Sequence, residues 1–182
     1  MTNAVLEAIR SRRMVRALTD APVDRAQLEA VLEAARWAPN AGNRRIHRFV
    51  VVENPIAIRL LRMMAPGMFQ RPTAVIAICV DFGRAAAFGM SPDNRGPYVD
   101  VGTAAQTMLL AAHSLGLGAG VVTSFSRAGA KEILNLPDGW SAELLVCLGH
   151  PAAAQPPGMR SAGPRVTWQS LTTWERFPPR SA

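Results

Sequence analysis

Residues 97–117 read PYVDVGTAAQTMLLAAHSLGL, and this stretch decides the kind of fold that the chain can adopt. Its apolar spacing predicts one long helix, with Pro97 in the first turn and Gly116 and Gly118 closing it. Alanines occupy much of the remaining surface, so the helix is expected to be buried on several sides. In a chain of 182 residues, such a helix lies either in the middle of the fold or at a subunit interface.

Shorter helices and strands are predicted on both sides of this segment. The helices are predicted at residues 2–12, 24–37, 55–64 and 127–135, and the strands at residues 47–53, 73–80, 119–124 and 143–148. Thr2 or Asn3 is placed to cap the first helix, and Asp24 to cap the second. The length suits one domain, and the mixture of helices and strands predicts the α+β class.

The C-terminal region is predicted to leave the globular part of the chain. Residues 151–163 are rich in proline, glycine and alanine, which is typical of an extended arm. The tail that follows carries the apolar residues Val166, Trp168, Leu171, Trp174 and Phe177. Because such a tail is too hydrophobic to stay in solvent, we expect it to lie on a second subunit.

The charge of the chain is strongly basic, with a net charge of +7 and an isoelectric point of about 11.1. Lys131 is the only lysine, so 19 of the 20 basic residues are arginine, a bias typical of GC-rich genomes. Nucleic-acid binding proteins interleave aromatic residues with basic stretches, whereas Tyr98 is the only tyrosine and no tryptophan lies in a basic cluster. We therefore expect no nucleic-acid partner.

The sequence also argues against a membrane segment and a metal site. Charged residues and glycines interrupt every apolar stretch before about 18 residues, and Glu7 interrupts any signal-peptide core, so a cytoplasmic location is expected. Cys79 and Cys147 lie in apolar runs and are predicted to be core residues in a reducing compartment. The three histidines have no histidine or cysteine at metal-ligand spacing.

Three segments carry polar groups suited to a ligand, and each has a structural alternative. The first is an arginine cluster that could bind phosphate or form a solvated turn: Arg10, Arg12, Arg13 and Arg16. The second is the loop at 38–43, which offers amide groups or is an ordinary turn. The third is Thr123 and Ser124 at a strand end, although Ser124 could equally cap the next helix. No G-x-G-x-x-G, P-loop or G-x-S-x-G motif is present.

Taken in order along the chain, these segments resemble the nitroreductase family of FMN enzymes. The similar stretches are IRSRRMVR at 9–16, LEAARWAPNAGN at 32–43, FVVV at 49–52, DVGTAAQ at 100–106, LGLG at 115–118, LGHP at 148–151, and Arg165 with WERF at 174–177. The similarity covers nearly the whole chain. No single stretch is diagnostic, but their order along the chain is specific.

The resemblance implies a three-layer α+β fold with a central mixed sheet flanked by helices, in a domain-swapped homodimer that holds FMN at its interface. Residues 1–182 would form one domain, with 151–182 as an arm on the partner subunit. The implied activity is that of an FMN-dependent NAD(P)H oxidoreductase, which takes hydride from NADPH or NADH and reduces nitroaromatics, quinones or related small acceptors. Since the cofactor carries the chemistry, no catalytic side chain is expected.

The resemblance also assigns cofactor contacts residue by residue. Arg12, Arg13, Arg16 and Arg165 match phosphate and ribityl contacts, and Met14 matches a backbone contact. Asn40, Ala41 and Asn43 match the loop that reaches the flavin of the partner subunit. Val122, Thr123 and Ser124 match the strand end beside the flavin ring, where backbone donors can stabilise negative charge.

Two departures from the family pattern leave the function partly open. Met14 replaces the usual serine, and Arg45, Ile46 and His47 replace the usual Gln-Pro-Trp. A non-catalytic homologue that binds or sequesters flavin is therefore the alternative. Neither the choice between NADH and NADPH nor a more specialised reaction, such as dehalogenation or flavin fragmentation, is indicated by any residue. The 83–97 segment is the expected lid.

Overall fold

The computed structural model describes residues 3–154 and 166–177. The helices are α1 (Ala4–Ser11), α2 (Arg25–Arg36), α3 (Pro55–Met63), α4 (Phe82–Ala87), α5 (Gly96–Ser114) and α6 (Arg127–Ile133). The strands are β1 (His47–Val52), β2 (Ala74–Asp81), β3 (Gly118–Val122) and β4 (Trp140–Gly149). Each predicted helix and strand is therefore present. The α-helix that the sequence analysis missed is α4, which occupies part of the 83–97 segment expected to be a lid.

The helix ends follow from local hydrogen bonds. Asn3 caps α1, because its Oδ1 accepts hydrogen bonds from the amides of Val5 and Leu6. Asp24 occupies the cap position of α2, but its side chain accepts no hydrogen bond from the helix, so the predicted side-chain cap is wrong. Asp81 explains α4, since its Oδ1 accepts a hydrogen bond from the Arg84 amide at 2.8 Å.

The four strands form one sheet in the order β1-β2-β4-β3. All three pairings are antiparallel, with Val51 opposite Ile76, Ile76 opposite Val146, and Val121 opposite Val146. The prediction of a mixed sheet is therefore wrong for the described residues, because no two of these four strands pair in parallel. A parallel strand would have to come from outside the described residues. The domain-swapped arm stays a prediction.

Helices cover both faces of this sheet, which confirms the three layers. Along β2, Ile76, Ile78 and Val80 face the core formed with α2 and α5. The alternate residues Val75, Ala77 and Cys79 face the core formed with α3 and α6. Because β2 is buried on both faces, its sequence is apolar at every position from 74 to 80.

The two cysteines lie in this core. Burial raises the pKa of the Cys79 thiol to about 12, with a further contribution from the nearby Glu143 carboxylate. Burial likewise raises the pKa of Cys147 to about 12. Both residues are therefore neutral thiols that pack as small apolar groups, as predicted.

The long helix α5 lies in the middle of the fold and is still open to solvent along one stripe. Ala104, Met108 and Ala112 are fully buried against the sheet. Gly116 ends the helix with a φ of 73°, which lets the Leu117 amide donate to the Ala112 carbonyl at 2.8 Å. Tyr98 and Val99 point outward and are 47% and 63% exposed, so part of the apolar surface has no cover within the described chain.

The tail is equally uncovered. All five of its apolar side chains are at least 63% exposed, namely Val166, Trp168, Leu171, Trp174 and Phe177. The expectation that they lie on a second subunit stays a prediction. Among the described helices, none is both long and apolar enough to cross a lipid bilayer.

Candidate functional site

The predicted site residues fall into two groups at opposite ends of α5. The arginine segment lies at the C-terminal end, where the Ser11 hydroxyl and His113 Nε2 are 2.9 Å apart. Beyond it, the Val15 amide donates to the Ala119 carbonyl at 3.0 Å, so the segment runs beside β3. Gly118 permits this approach, since a Cβ there would lie only 2.8 Å from Val15 Cγ1.

The arginines of this segment have different local roles. Arg12 is half-buried, and its Nη1 is enclosed and makes no hydrogen bond to any described residue. Arg13 donates from Nη1 to the carbonyls of Arg10 and Arg12, at 2.5 and 2.9 Å, and so closes the end of α1. The Arg12 guanidinium thus has an enclosed N–H group without an acceptor. Such a buried donor costs about 1–3 kcal/mol. Arg165 lies outside the described residues.

The strand end at 122–124 lies on the same side of the fold, further along β3. Val122 is buried, Thr123 and Ser124 are exposed, and the Ser124 carbonyl accepts a hydrogen bond from the Gly67 amide at 3.2 Å. The helix cap of α6 is Ser126, whose hydroxyl accepts from the Gly129 amide at 3.1 Å. The alternative role of Ser124 as a helix cap is therefore wrong, and its hydroxyl is available to a ligand.

Gln70 is a polar residue of this region that the sequence analysis missed. Its side chain is only 4% exposed, and its Oε1 has no hydrogen-bond partner within the described ranges. A Cβ on Gly120 would collide with Gln70 Nε2, so the glycine makes room for the amide. The sequence signal was a glutamine just before the buried strand β2, but no periodicity marks such a residue as buried.

The loop at 40–43 is held at the N-terminal end of α5. The Ala41 amide donates to Asp100 Oδ1 at 2.9 Å, and the Thr103 hydroxyl donates to the Pro39 carbonyl at 2.9 Å. Gly42 and Asn43 both adopt left-handed conformations, with φ of 59° and 52°. The loop therefore has a fixed shape, and its residues 41–43 are exposed.

The arginine segment and the 40–43 loop lie far apart in a single chain. Asp100 and His113, which contact the loop and the arginine segment respectively, are thirteen residues apart on α5. At about 1.5 Å per helical residue, these two contacts are roughly 20 Å apart. The arginine segment and the 40–43 loop are therefore well separated within a single chain.

The residues beside β3 suit a phosphorylated flavin. The enclosed Arg12 guanidinium offers a charge-assisted donor to a phosphate. Gln70 lies against Gly120, between the arginine segment and the strand end. The backbone at 123–124 lies about 13–16 Å from Ala119 at roughly 3.3 Å per extended residue. A ligand with a phosphate at one end and a polar ring at the other would lie along this strand.

The departures from the family pattern lie next to the 40–43 loop. Ile46 is 1% exposed, so it is a core residue, whereas Arg45 is exposed and has a left-handed backbone with a φ of 48°. His47 is 9% exposed, and its burial lowers its pKa. The Asp100 carboxylate raises the pKa by a smaller amount, and Arg48 and Arg45 lower it further. His47 is therefore neutral near neutral pH.

The segment expected to act as a lid contacts this loop directly. Arg44 donates from Nη1 to the Phe88 carbonyl at 2.8 Å, and its guanidinium lies 4.6 Å from the centre of the Phe88 ring. These contacts connect the end of α4 to the 40–43 loop. Within the described residues, no group of three metal-ligating side chains comes together.

Comparison with known proteins identifies the family. Residues 9–150 match the family model described as the Nitroreductase family, and the chain belongs to this family. A Methanothermobacter thermautotrophicus protein, named provisionally as an NADH dehydrogenase/NAD(P)H nitroreductase, is 32% identical over 162 residues, 86% of this chain and 81% of that protein. The FMN reductase [NAD(P)H] of Bacillus subtilis is 29% identical over 167 residues, 82% of this chain and 67% of that protein.

A solved structure shows the same fold. The NADPH:FMN oxidoreductase of Vibrio harveyi, in complex with NAD+, superposes with a TM-score of 0.80 at 25% sequence identity. The match covers 98% of this chain and 80% of that one. The nitroreductase fold inferred from sequence motifs is thereby confirmed.

Proposed function

We propose that this chain is an FMN-dependent NAD(P)H oxidoreductase that works as a homodimer. The observation that carries the proposal is the position of the two predicted groups of flavin ligands at opposite ends of α5, anchored on His113 and Asp100. Two copies that pair along the exposed stripe of α5 would place the arginine segment of one beside the 40–43 loop of the other. The names of the relatives, a flavin reductase and an NAD(P)H nitroreductase, agree with this activity.

The residues of the chain bind and orient the cofactor in this proposal. Arg12, Arg16 and Arg165 bind its phosphate, and Arg13 orients the segment by closing α1. Backbone groups at 123–124 position the ring edge, and the 40–43 loop of the partner excludes water from one face. When bound, FMN supplies the hydride transfer from NADPH or NADH to the acceptor, so no protein acid, base or nucleophile is required.

The proposed acceptors are nitroaromatics, quinones or related small planar molecules. The flavin face left open by the loop would be accessible only to flat molecules of limited size. The α4 segment, which contacts the loop through Arg44 and Phe88, is the proposed cover for this opening.

A specific test is anaerobic rapid mixing of FMN-loaded protein with NADPH and, separately, with NADH. The proposal predicts loss of the oxidised flavin absorbance with at least one donor, followed by its return on addition of a quinone. Purified protein that takes up no FMN would overturn the whole assignment.

The alternative is a homologue that binds or sequesters flavin without turnover. It is favoured by the loss of the usual serine at Met14 and by Arg45, Ile46 and His47 in place of Gln-Pro-Trp. The same experiment separates the two functions. A flavin-binding protein would take up FMN and keep its oxidised spectrum with either donor.

A further inference from the structure

A small cationic cavity lies between the end of α2 and the start of β1. Its volume is about 160 Å³, and its lining consists of Arg36, Asn40, Arg45, His47, Arg48 and Phe49. Three of these six residues are arginines, and none is a carboxylate. Glu33 forms an ion pair with Arg36, so the positive charge available to an anion is that of Arg45 and Arg48.

Two of the guanidinium groups keep most of their donors free. Arg45 uses Nε for Asn43 Oδ1 at 3.2 Å, and Arg48 uses Nη1 for the carbonyls of Arg45 and His47, both at 2.8 Å. Neither arginine forms an ion pair with any carboxylate of the described chain. Their remaining N–H groups can therefore bind an anion without breaking a contact.

Arg36 and His47 complete the wall. Arg36 is held in place by Glu33, which accepts from its Nε and Nη2 at 2.8 and 2.6 Å. His47 is buried, and its Nδ1 is enclosed without a hydrogen-bond partner among the described residues. Burial lowers the pKa of His47, the Asp100 carboxylate raises it, and Arg48 and Arg45 lower it, with a net lowering, so the ring does not add a further charge near neutral pH.

The backbone fixes where the Arg45 side chain begins. Its left-handed conformation is held by a hydrogen bond from its own amide to Asn40 Oδ1 at 3.1 Å. A residue other than glycine rarely adopts this conformation unless the surroundings impose it. The Arg45 side chain is therefore directed by the same loop that carries Asn40 and Asn43.

An aromatic surface lies beside the cationic cavity. A second cavity of about 340 Å³ shares Arg36, Asn40 and Arg45 with the first and is lined by Trp37 as well. Trp37 is 72% exposed, and the Arg36 guanidinium lies 4.4 Å from the centre of its ring. A planar ring and an anionic substituent can therefore bind side by side, a combination that fits a nucleotide.

We propose that the cationic cavity binds a phosphate monoester, and that this phosphate is the 2′-phosphate of NADPH. The assignment to NADPH rests on the proposed function, because that function brings a nicotinamide dinucleotide to the flavin beside the 40–43 loop. A phosphate monoester carries close to two negative charges and three acceptor oxygens, which matches several free guanidinium donors. The chain should therefore prefer NADPH to NADH.

The phosphate of FMN has the same chemistry and is the other candidate for this cavity. The proposed function gives that phosphate to Arg12, Arg16 and Arg165 instead. The experiment must therefore measure the affinities for FMN and for the adenine nucleotide separately.

The test is calorimetric titration of the full-length, FMN-loaded protein with 2′,5′-ADP and with 5′-AMP, which differ only in the 2′-phosphate. The native protein should bind 2′,5′-ADP about tenfold tighter or more, the amount expected for charge-assisted hydrogen bonds. Arg48→Gln should remove this difference. Arg45→Asn should do the same and keeps a residue that tolerates the left-handed backbone. Arg59→Ala, on α3, is the matched control and should retain it.

Three results would overturn the proposal. The native protein could bind 2′,5′-ADP and 5′-AMP equally. The two variants could retain the difference between the two nucleotide affinities. They could also retain this difference and lose affinity for FMN instead. Failure of the proposed function can be distinguished from failure of this inference. Protein whose flavin stays oxidised with both donors can still be titrated with the two nucleotides. Equal reduction rates with NADPH and NADH would contradict the inference and leave the oxidoreductase assignment intact.

Discussion

Asp100 Oδ1 accepts a hydrogen bond from the Ala41 amide at 2.9 Å, and this bond joins the central helix to the loop proposed to reach the flavin of the partner. Asp100 is only 5% exposed, so its carboxylate is a buried anchor in a helix that has no other acidic residue. Burying a carboxylate is costly without such hydrogen bonds. The hydrogen bond from the Ala41 amide offsets part of this cost.

We predict that Asp100→Ala weakens both the fold and FMN binding. The Ala41 amide would lose its acceptor, which lowers the free energy of unfolding by about 1–3 kcal/mol. Asp100→Asn keeps a carbonyl oxygen and should have the smaller effect. Denaturant unfolding and FMN titration measure the two quantities. Native FMN affinity in a folded Asp100→Ala variant would show that the anchored loop has no part in the site.

We predict that the arginine segment binds the phosphate of FMN. Arg12→Ala, Arg16→Ala and Arg165→Ala should each weaken FMN binding roughly ten- to a hundredfold, since charge-assisted hydrogen bonds contribute about 1.5–3 kcal/mol. Riboflavin lacks the phosphate, so its affinity should change little in the same variants. Fluorescence titration with both flavins measures the effect.

The matched controls are Arg59→Ala and Arg62→Ala, two exposed residues of α3. They should bind FMN as the native protein does. If all five substitutions behave alike, or if riboflavin binds the native protein as tightly as FMN, the cluster is a solvated turn.

We predict that the exposed stripe of α5 forms the dimer interface. A Cβ on Gly102 would meet no atom within 4 Å, so a large residue there should leave the fold of the single chain unchanged. Gly102→Arg should nevertheless convert the dimer to a monomer, because it places a bulky charge in a close helix contact. Light scattering measures the mass, and circular dichroism verifies the fold. A native protein that is monomeric at micromolar concentration would contradict the prediction.

We predict that His47 makes the protein less stable in mild acid. Its pKa in the folded chain lies below the ordinary value of 6.5, because burial disfavours the charged ring. Between the two pKa values the unfolded chain binds more protons, so the free energy of unfolding falls as the pH drops through this window. His47→Phe should flatten this dependence, while His113 and His150 stay in both proteins. Thermal unfolding at several pH values measures it, and equal slopes would argue against the assignment.

The sequence predicted the layers of this fold better than its sheet. Helical spacing and the unbroken apolar run of β2 identify which residues are buried, because burial follows directly from periodicity. The direction of strand pairing depends on connections that periodicity does not encode, and the expected mixed sheet was wrong for the described residues. The missed helix α4 begins at an aspartate cap within a stretch too short to show a clear period.

The candidate site was predictable where motifs are local. The arginine segment and the 40–43 loop are recognisable in the sequence, and each has a defined conformation in the fold. Gln70 was missed because its burial results from a contact with Gly120, which lies fifty residues away. The cap at Ser126 rather than Ser124 depends on where α6 begins, and sequence patterns locate helix ends only to within a few residues.

The central claim is that one flavin site is completed by two copies of the chain. Subunits carrying Arg12→Ala and Arg16→Ala can be mixed with subunits carrying Asn40→Ala and Asn43→Ala, each with its own affinity tag, and the mixed dimer purified. A shared site leaves one site fully native and the other damaged on both sides. The decisive measurement is the FMN stoichiometry of this mixed dimer at a concentration that saturates only native sites. We predict roughly one FMN per mixed dimer and almost none on the homodimer of either variant. A mixed dimer that binds no FMN under these conditions would show that each site lies within a single chain.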